Sequence, residues 1–173
     1  MNSWFKLALC VWGAIGQTIE SWIGGQYPSS LSKTMALVGD VSQLMSGLGS
    51  RHVVVILPSN DAWKSHKDLY NKLQSSPNDR YSMLLDAVVE VPGVTTLAGV
   101  KSLNDISFSD VYTLAGTPVV KDKGKYYYGQ MSADGSTKKS GKPIEINKTP
   151  LAAFDNVAIF QAKTFALPPA LRQ

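Results

Sequence analysis

The segment from Val53 to Trp63, VVVILPSNDAW, constrains the fold more than any other stretch of this chain. Its first five residues are apolar and mostly β-branched, which predicts a buried strand. Pro58 ends this strand, because proline has no N–H group to donate to a neighbouring strand. Ser59 then occupies the position of a helix N-cap, where a side-chain oxygen accepts a hydrogen bond from the first helical turn. The segment therefore predicts a buried strand that runs directly into a capped helix.

Asn60 and Asp61 follow the predicted cap. Amide and carboxylate oxygens suit the unpaired N–H groups and the positive end of a first helical turn. The joint has neither the Gly-x-Ser-x-Gly pattern of a nucleophile elbow nor glycines that cradle a phosphate. We therefore interpret Pro58, Ser59, Asn60 and Asp61 as a structural signature.

This joint resembles the first signature of the fasciclin-like FAS1 domain family, in which a strand leads into an "APSNDAF"-like turn and helix. The corresponding letters here are LPSNDAW, residues 57–63. Upstream, LSKTMALVGDVSQLMSGLG resembles the helix that precedes this strand in the family. Downstream, NVAIFQAKTFALPP resembles the family's closing strand with its Leu-Pro-Pro exit. Spacing and order fit from Ser29 to Pro169.

The resemblance implies a fold and a class of function. The fold is α+β, a β-sandwich or wedge with helices packed at one side, formed by residues 26–173 and preceded by an N-terminal apolar or amphipathic helix in residues 1–25. The function it implies is a non-catalytic adhesion or interaction module, secreted or membrane-attached. The family's Tyr-His pair, tied to adhesion in animal members, falls near residues 85–88, where this chain has LDAV. That activity is therefore not carried over. The closing motif of this chain also differs from that of the family, because it has FDN at residues 154–156 and Ala-Lys at residues 162–163.

The elements around the joint can be predicted from spacing. A core-facing helix starts at Ser29 or Ser30 and ends at Gly47 or Gly49, because its apolar residues step by three and four. These residues are Leu31, Met35, Val38, Val41, Met45 and Leu48. Ser76-Pro77 predicts a second helix start, a cap followed by proline in the first turn.

The second half of the chain has a different pattern. Residues 94–108 fit either a short strand or a loop, and the chain from Asp110 onward reads as β-strands separated by turns. Helices in the first half and strands in the second favour segregated α+β layers over repeated βαβ units.

The N-terminus has two interpretations. In the first, residues 1–16 are a signal peptide, with Lys6 as the positive charge, LALCVWGAIG as the apolar core and Ala14-x-Gly16 as the cleavage pattern. The apolar run is short for a transmembrane span, which needs roughly 20 residues.

In the second interpretation, the N-terminal segment is a retained amphipathic helix. Apolar residues recur at helical spacing through Ile23 and include three tryptophans, Trp4, Trp12 and Trp22. Such a stripe is typical of a helix that lies at a membrane interface or against a partner protein. We keep both interpretations.

Charge and cysteine content exclude some classes of protein. The net charge of +4 at pH 7 is modest, and it does not predict nucleic-acid binding. Cys10 is the sole cysteine, so an intramolecular disulfide scaffold is excluded.

Candidate catalytic and metal-binding residues are few. Neither His52 nor His66 has a second ligand at metal-site spacing, and neither is placed by sequence to activate Ser59. Asp105 and Asp110 lack the glycine and terminal glutamate of an EF-hand loop. We predict no catalytic residue, no metal and no cofactor.

Several residues are candidates for contact or modification. Tyr126 and Tyr128 belong to the aromatic strand KYYYGQM, and exposed tyrosine there suits a protein partner. The lysines of the Gly/Ser loop, Lys138, Lys139 and Lys142, are expected to keep that loop solvated. Asn147 opens the glycosylation sequon Asn-Lys-Thr, which matters only in the secretory pathway.

The leading hypothesis is a FAS1-like, non-catalytic interaction, adhesion or scaffold module, exported or membrane-associated. The first alternative is an accessory subunit of a larger membrane protein complex, docked through its N-terminal helix. The second is a small hydrolase or ligand-binding enzyme of unrecognised type.

Overall fold

The computed structural model describes residues 21–38 and 47–164. The predicted N-terminal helix up to residue 20, with Trp4 and Trp12, lies outside the described residues. So do Val41 and Met45 of the predicted first helix, and the Leu-Pro-Pro exit.

The helices of the described chain cluster in its first half. A π-helical turn, Trp22–Gln26, and a 3₁₀ turn, Ser29–Leu31, lead into α1. The α-helices α1 to α4 span Ser32–Val38, Asn60–Lys64, Lys67–Ser75 and Pro77–Ala87. None of these described helices is long and apolar enough to cross a membrane.

The strands form one mixed sheet. Strands β1 to β8 span Val53–Pro58, Val88–Glu90, Val111–Thr113, Pro118–Asp122, Lys125–Met131, Thr137–Ile144, Ala152–Ala153 and Val157–Ala162. Their order in the sheet is β6-β5-β4-β3-β2-β1-β8-β7. β1 and β8 are parallel, whereas the other neighbours are antiparallel. With the helices grouped before most of the strands, the predicted α+β class is confirmed.

Strand β1 lies inside this sheet, between β2 and β8, as its apolar run predicts. It pairs with β8 from Val53 opposite Val157 to Pro58 opposite Ala162, and with β2 on its other side. All six residues of β1 are buried, because its two faces contribute to two different cores.

The first core, called here the helix-side core, lies between the sheet and the helices. Strand β1 contributes Val53, Val55 and Leu57, and α4 contributes Met83 and Leu84. The predicted stripe of the first helix points into this core, since its described members, Leu31, Met35, Val38 and Leu48, are all buried there.

The second core, called here the loop-side core, lies on the opposite face of the sheet. Residues 94–108, which fitted a strand or a loop, form a loop with a 3₁₀ turn at Leu103–Asp105. This loop covers the sheet with buried Leu97, Ile106 and Phe108. It therefore takes the place that a second layer of helices would otherwise fill.

Trp22 packs into the helix-side core and is 2% exposed. Its ring lies edge-on to that of Tyr27, with 6.2 Å between the centroids. Gly25 in the turn Trp22–Gln26 is non-helical, with φ of 140°. Trp22 and the partly buried Ile23, which precede residue 26, thus contribute to this core.

Candidate functional site

The signature joint is built from its cap outward. The Ser59 hydroxyl accepts a hydrogen bond from the Ala62 N–H at 3.2 Å, which is the predicted N-cap of α2. Behind the cap, the buried Thr34 hydroxyl donates to the Pro58 carbonyl and accepts from the indole N–H of Trp63 at 2.7 Å. The joint thus fixes β1, α1 and α2 to one another.

Asn60 extends this fixation to the start of α1. Its amide nitrogen donates to the Ser29 carbonyl at 2.9 Å and to the Ser32 hydroxyl at 3.0 Å. Its amide oxygen accepts from the Lys33 N–H at 3.0 Å. The side chain therefore ties the first turn of α1 to the first turn of α2.

Asp61 differs from Asn60 in being exposed. Its carboxylate forms an ion pair with Lys64, one helical turn later, at 2.6 Å. The hydrogen bond and the charge of Lys64 lower the pKa of the Asp61 carboxyl. Such a solvated pair contributes little to stability.

A polar cleft of about 630 Å³ opens beside the joint. One wall consists of Ser29, Ser30, Ser59, Asn60 and Asp61, and the other of Asn147, Gln161 and Lys163. The volume falls within the range of about 300–1,000 Å³ that is typical of small-molecule sites.

The amides of the second wall are engaged in bonds within the protein. The Gln161 amide donates to the Ser30 hydroxyl at 3.0 Å, and the Asn147 amide donates to the Gln161 side-chain oxygen at 3.4 Å. The Ser59 N–H donates to the Ala162 carbonyl at 2.9 Å, which closes the floor between the strands. These bonds hold the two walls together, and the groups that make them serve the fold.

The two histidines lie away from this lining. His52 Nε2 is 3.0 Å from the Thr95 carbonyl and connects β1 to the 94–108 loop. His66 Nδ1 lies 3.0 Å from the Ser65 hydroxyl, which donates to the Ala62 carbonyl. Ser65 and His66 are adjacent residues that follow the last turn of α2. Their contact therefore belongs to the end of this helix.

Among residues 21–38 and 47–164, no cluster of three or more His, Cys, Asp or Glu side chains is arranged to hold a metal ion. Asp105 instead accepts hydrogen bonds from the N–H groups of Lys101 and Ser102, which caps the 3₁₀ turn. Asp110 stands in the left-handed region, with φ of 52°.

The predicted aromatic contact residues within the described chain are buried, which corrects their assignment to a surface. Tyr126 and Tyr128 are 5% and 8% exposed and pack in the loop-side core, and Trp22 packs in the helix-side core. Side chains alternate along this strand, so Tyr126 and Tyr128 face inward and Tyr127 between them stays half-buried at the surface. Trp4 and Trp12 lie outside the described residues.

The lysines predicted in a loop lie on β6, the edge strand of the sheet. Lys138, Lys139 and Lys142 are exposed, as lysines on an edge strand commonly are. Lys139 forms an ion pair with Asp122 and lies over the Tyr127 ring at 5.3 Å from its centroid. Strand β6 buries no side chain before Ile144, so its sequence does not alternate between apolar and polar residues. The Gly/Ser-rich segment therefore resembled a loop.

Asn147 is half-buried in the cleft wall. A glycan would replace one hydrogen of the amide nitrogen that donates to Gln161 at 3.4 Å. Glycosylation of Asn147 stays a prediction.

A buried carboxylate is the polar group that sequence reasoning missed. Asp86, at the end of α4, is 2% exposed. It accepts hydrogen bonds from the hydroxyls of Thr113 at 3.0 Å and Thr117 at 2.7 Å, and its backbone carbonyl accepts from the Tyr128 hydroxyl at 3.2 Å. Burial raises the pKa of the Asp86 carboxyl against the opposing effect of the two threonines. A lone acidic residue among Leu84, Leu85 and Ala87 was the available signal.

Comparisons with known proteins address the fold. No protein-family model matches the sequence, and no curated protein sequence matches it. Among solved structures, the chain is similar to a FAS1 domain pair from fasciclin I, an insect cell adhesion molecule, with a TM-score of 0.50 over 90% of this chain. The chain has a FAS1-like fold. The resemblance of the 57–63 signature is thereby confirmed at the level of the fold.

The similarity to fasciclin I is limited to the fold. Sequence identity is 15%, and the match covers 52% of the fasciclin I chain. This FAS1-like chain therefore spans about half the length of that domain pair.

Proposed function

We propose that this FAS1-like chain is a non-catalytic module that binds other proteins, in an adhesion or scaffolding role. The observation that carries the proposal is the FAS1-like fold, which it shares with a domain pair of an adhesion molecule. This is an analogy between folds, and the site must add its own support.

The cleft supplies that support. A hydrolase of the serine class needs a nucleophile within hydrogen-bond reach of a base that is itself oriented. Ser59 is 6% exposed and caps a helix, and the cleft lining includes neither histidine. The cleft amides are used to join elements of the fold, which favours a rigid scaffold over a reaction centre.

Native complexes provide the test. The full-length protein, carrying an affinity tag, is crosslinked in its native source and purified, and its partners are identified by mass spectrometry. Each partner is then purified and mixed with the full-length protein, and the dissociation constant is measured. We expect at least one partner to bind directly and saturably, because a module of this kind acts through its surface.

An activity test runs in parallel on the same preparation. Hydrolysis of simple ester, amide and phosphate substrates is measured for the wild type and for Ser59→Ala. Turnover that Ser59→Ala abolishes while the variant stays folded contradicts the proposal and supports the hydrolase alternative.

We also propose that the protein acts outside the cytosol or at a membrane. Residues 1–16 support this through their resemblance to a signal peptide, and the tryptophan stripe supports it through its resemblance to an interfacial helix. Intact mass and membrane fractionation of the native protein test the proposal. Loss of residues 1–16 indicates export, and an intact terminus in the membrane fraction indicates docking. An intact terminus in the soluble cytosolic fraction contradicts the proposal.

A further inference from the structure

A small pocket opens at one end of the loop-side core. It has a volume of about 270 Å³, and its walls include Leu103, Tyr126, Ile144 and Ile146. Tyr126 and Ile144 stand directly opposite each other on β5 and β6. The Tyr126 ring is held edge-on against Phe108, with 4.9 Å between the ring centroids. The apolar walls of the pocket thus belong to the packed loop-side core.

The size of the pocket limits what enters it. Sites for drug-sized molecules occupy about 300–1,000 Å³, so this pocket suits a group as large as one apolar side chain. Large anchor side chains that fill such recesses commonly dominate protein–protein binding energy.

The rim of the pocket is basic. Lys125 and Lys148 line it and are exposed, and the lining residues Gly124 and Pro143 are flanked in sequence by Lys123 and Lys142. None of these four lysines forms an ion pair with another described residue, whereas Lys139 nearby is paired with Asp122. The charge of Lys123 acts on the neighbouring Asp122, whose pKa it helps to lower. The ammonium groups of Lys125 and Lys148, which line the pocket, are therefore the ones available to an external anion.

The surrounding sequence reinforces this charge. Between residues 121 and 148 the chain carries seven lysines and three acidic residues. One of the acidic residues, Glu145, lines the pocket. The net positive charge of the whole chain is thus matched by residues 121–148, which include most of the pocket lining.

We propose that this pocket, with its lysine rim, docks an acidic segment of a partner protein that inserts one apolar side chain. The proposal rests on the proposed function and names the docking surface and the partner's chemistry. The apolar side chain fills the recess between Leu103 and Ile144. The acidic residues on either side of it pair with the lysines, which fixes the direction of the segment and speeds its encounter.

A protein segment fits better here than a membrane surface. A basic patch that binds membranes needs anionic headgroups but no enclosed recess. Membrane docking is also strengthened by large apolar side chains that project from the patch. The large apolar side chains exposed on the described chain are Tyr81, Tyr112 and Met131, and none of them lines this pocket.

The test uses the full-length protein and a synthetic peptide with blocked ends, in which a central phenylalanine is flanked by three glutamates on each side. Binding is followed by NMR chemical shifts of the backbone amides during titration. We expect saturable shifts centred on Leu103, Gly124 and Ile146. A peptide with alanine at its centre should bind about tenfold more weakly, because it leaves the recess unfilled. A peptide with glutamines in place of the glutamates should also bind more weakly.

Charge-reversal variants separate the rim from the overall charge. Lys125→Glu and Lys148→Glu should each weaken binding roughly fivefold, because an attraction becomes a repulsion. Lys67→Glu is the matched control, because it changes the net charge equally at an exposed position on α3. We expect its affinity to stay within about twofold of the wild type, since distant exposed charges are screened. Melting temperatures confirm that all three variants are folded.

Three results would overturn the proposal. One is the absence of saturable shifts, or shifts centred on the Gln161 cleft. Another is equal weakening by Lys67→Glu and Lys125→Glu. The third is binding to phosphatidylserine vesicles that Lys125→Glu abolishes while the peptide fails to bind, which assigns the patch to membranes. If a native partner binds Lys125→Glu and Lys148→Glu as tightly as the wild type, this docking site is wrong while the proposed function stands.

Discussion

Asn60 and Ser29 lie 31 positions apart in the chain, and the amide nitrogen of Asn60 donates a hydrogen bond to the Ser29 carbonyl at 2.9 Å. The same side chain reaches the Ser32 hydroxyl and the Lys33 N–H. One amide therefore bonds the residues at the start of one helix while it stands at the start of another. This explains why the signature needs an amide directly after the Ser59 cap, since a carboxylate cannot donate to a carbonyl.

We expect Asn60→Ala to lower the free energy of unfolding by about 2 kcal/mol, because three hydrogen bonds are lost at a partly buried position. Chemical denaturation monitored by circular dichroism measures the effect. Asn71→Ala on α3 is the control, because Asn71 is exposed and alanine favours a helix interior. Equal effects of the two substitutions would contradict the structural role of Asn60.

Two tyrosines on one strand should respond differently to the loss of a hydroxyl. The Tyr126 hydroxyl is buried without a hydrogen-bond partner in the described chain, whereas the Tyr128 hydroxyl donates to the Asp86 carbonyl. We expect Tyr126→Phe to leave stability unchanged or to raise it, and Tyr128→Phe to lower it by about 1 kcal/mol. Thermal and urea denaturation compare the two. Because each substitution removes a single oxygen atom from a buried ring of β5, a reversed order would show that the two environments are assigned wrongly.

The parts of this fold that the sequence predicted depend on neighbours in the chain. The capped joint at Ser59, the proline start of α4 and the stripe of the first helix follow from local spacing and local hydrogen bonds. A resemblance to one seven-residue signature then extended this local prediction to the whole fold.

The features that sequence missed depend on distant contacts. Tyr126 is buried because residues 94–108 cover the loop-side core, and nothing local to KYYYGQM indicates that cover. Similarly, Asp86 is accommodated by Thr113 and Thr117, which lie beyond a turn and a loop. The lysine-rimmed pocket joins three separate stretches of chain, so no single motif encodes it.

Asp86 should make stability depend on pH in a specific direction. Burial raises the pKa of its carboxyl above the ordinary value of 3.8. At a pH between the ordinary pKa and the raised pKa, the folded state therefore holds a proton that the unfolded state has released. The contribution of this carboxyl to the free energy of unfolding is therefore most favourable below pH 3.8, and it is lost as pH rises through the raised pKa. Asp86→Asn has no proton to lose, and its side-chain oxygen can still accept from Thr113 and Thr117.

We expect the stability of Asp86→Asn relative to the wild type to increase from acidic to neutral pH. Urea denaturation at a series of pH values measures this difference, in which contributions from the other carboxyls cancel. Asp155→Asn is the control, because Asp155 is exposed and also accepts a threonine hydroxyl, that of Thr96. A relative stability of Asp86→Asn that falls toward neutral pH would mean that the carboxylate form is favoured in the folded state.

Trp22 tests where the folded unit begins. The sequence places Trp22 before residue 26, where the FAS1-like domain is predicted to begin. In the structure the Trp22 side chain is instead part of the helix-side core, against Tyr27. We expect Trp22→Ala in the full-length chain to lower the free energy of unfolding by about 3 kcal/mol or more, as large-to-small core substitutions do. Tyr81→Ala is the control, since Tyr81 is 54% exposed and its loss should change stability by about 0.5 kcal/mol or less. If Trp22→Ala were no more destabilising than Tyr81→Ala, the core would start after the glycine pair, and Trp22 would again be available to a membrane or a partner.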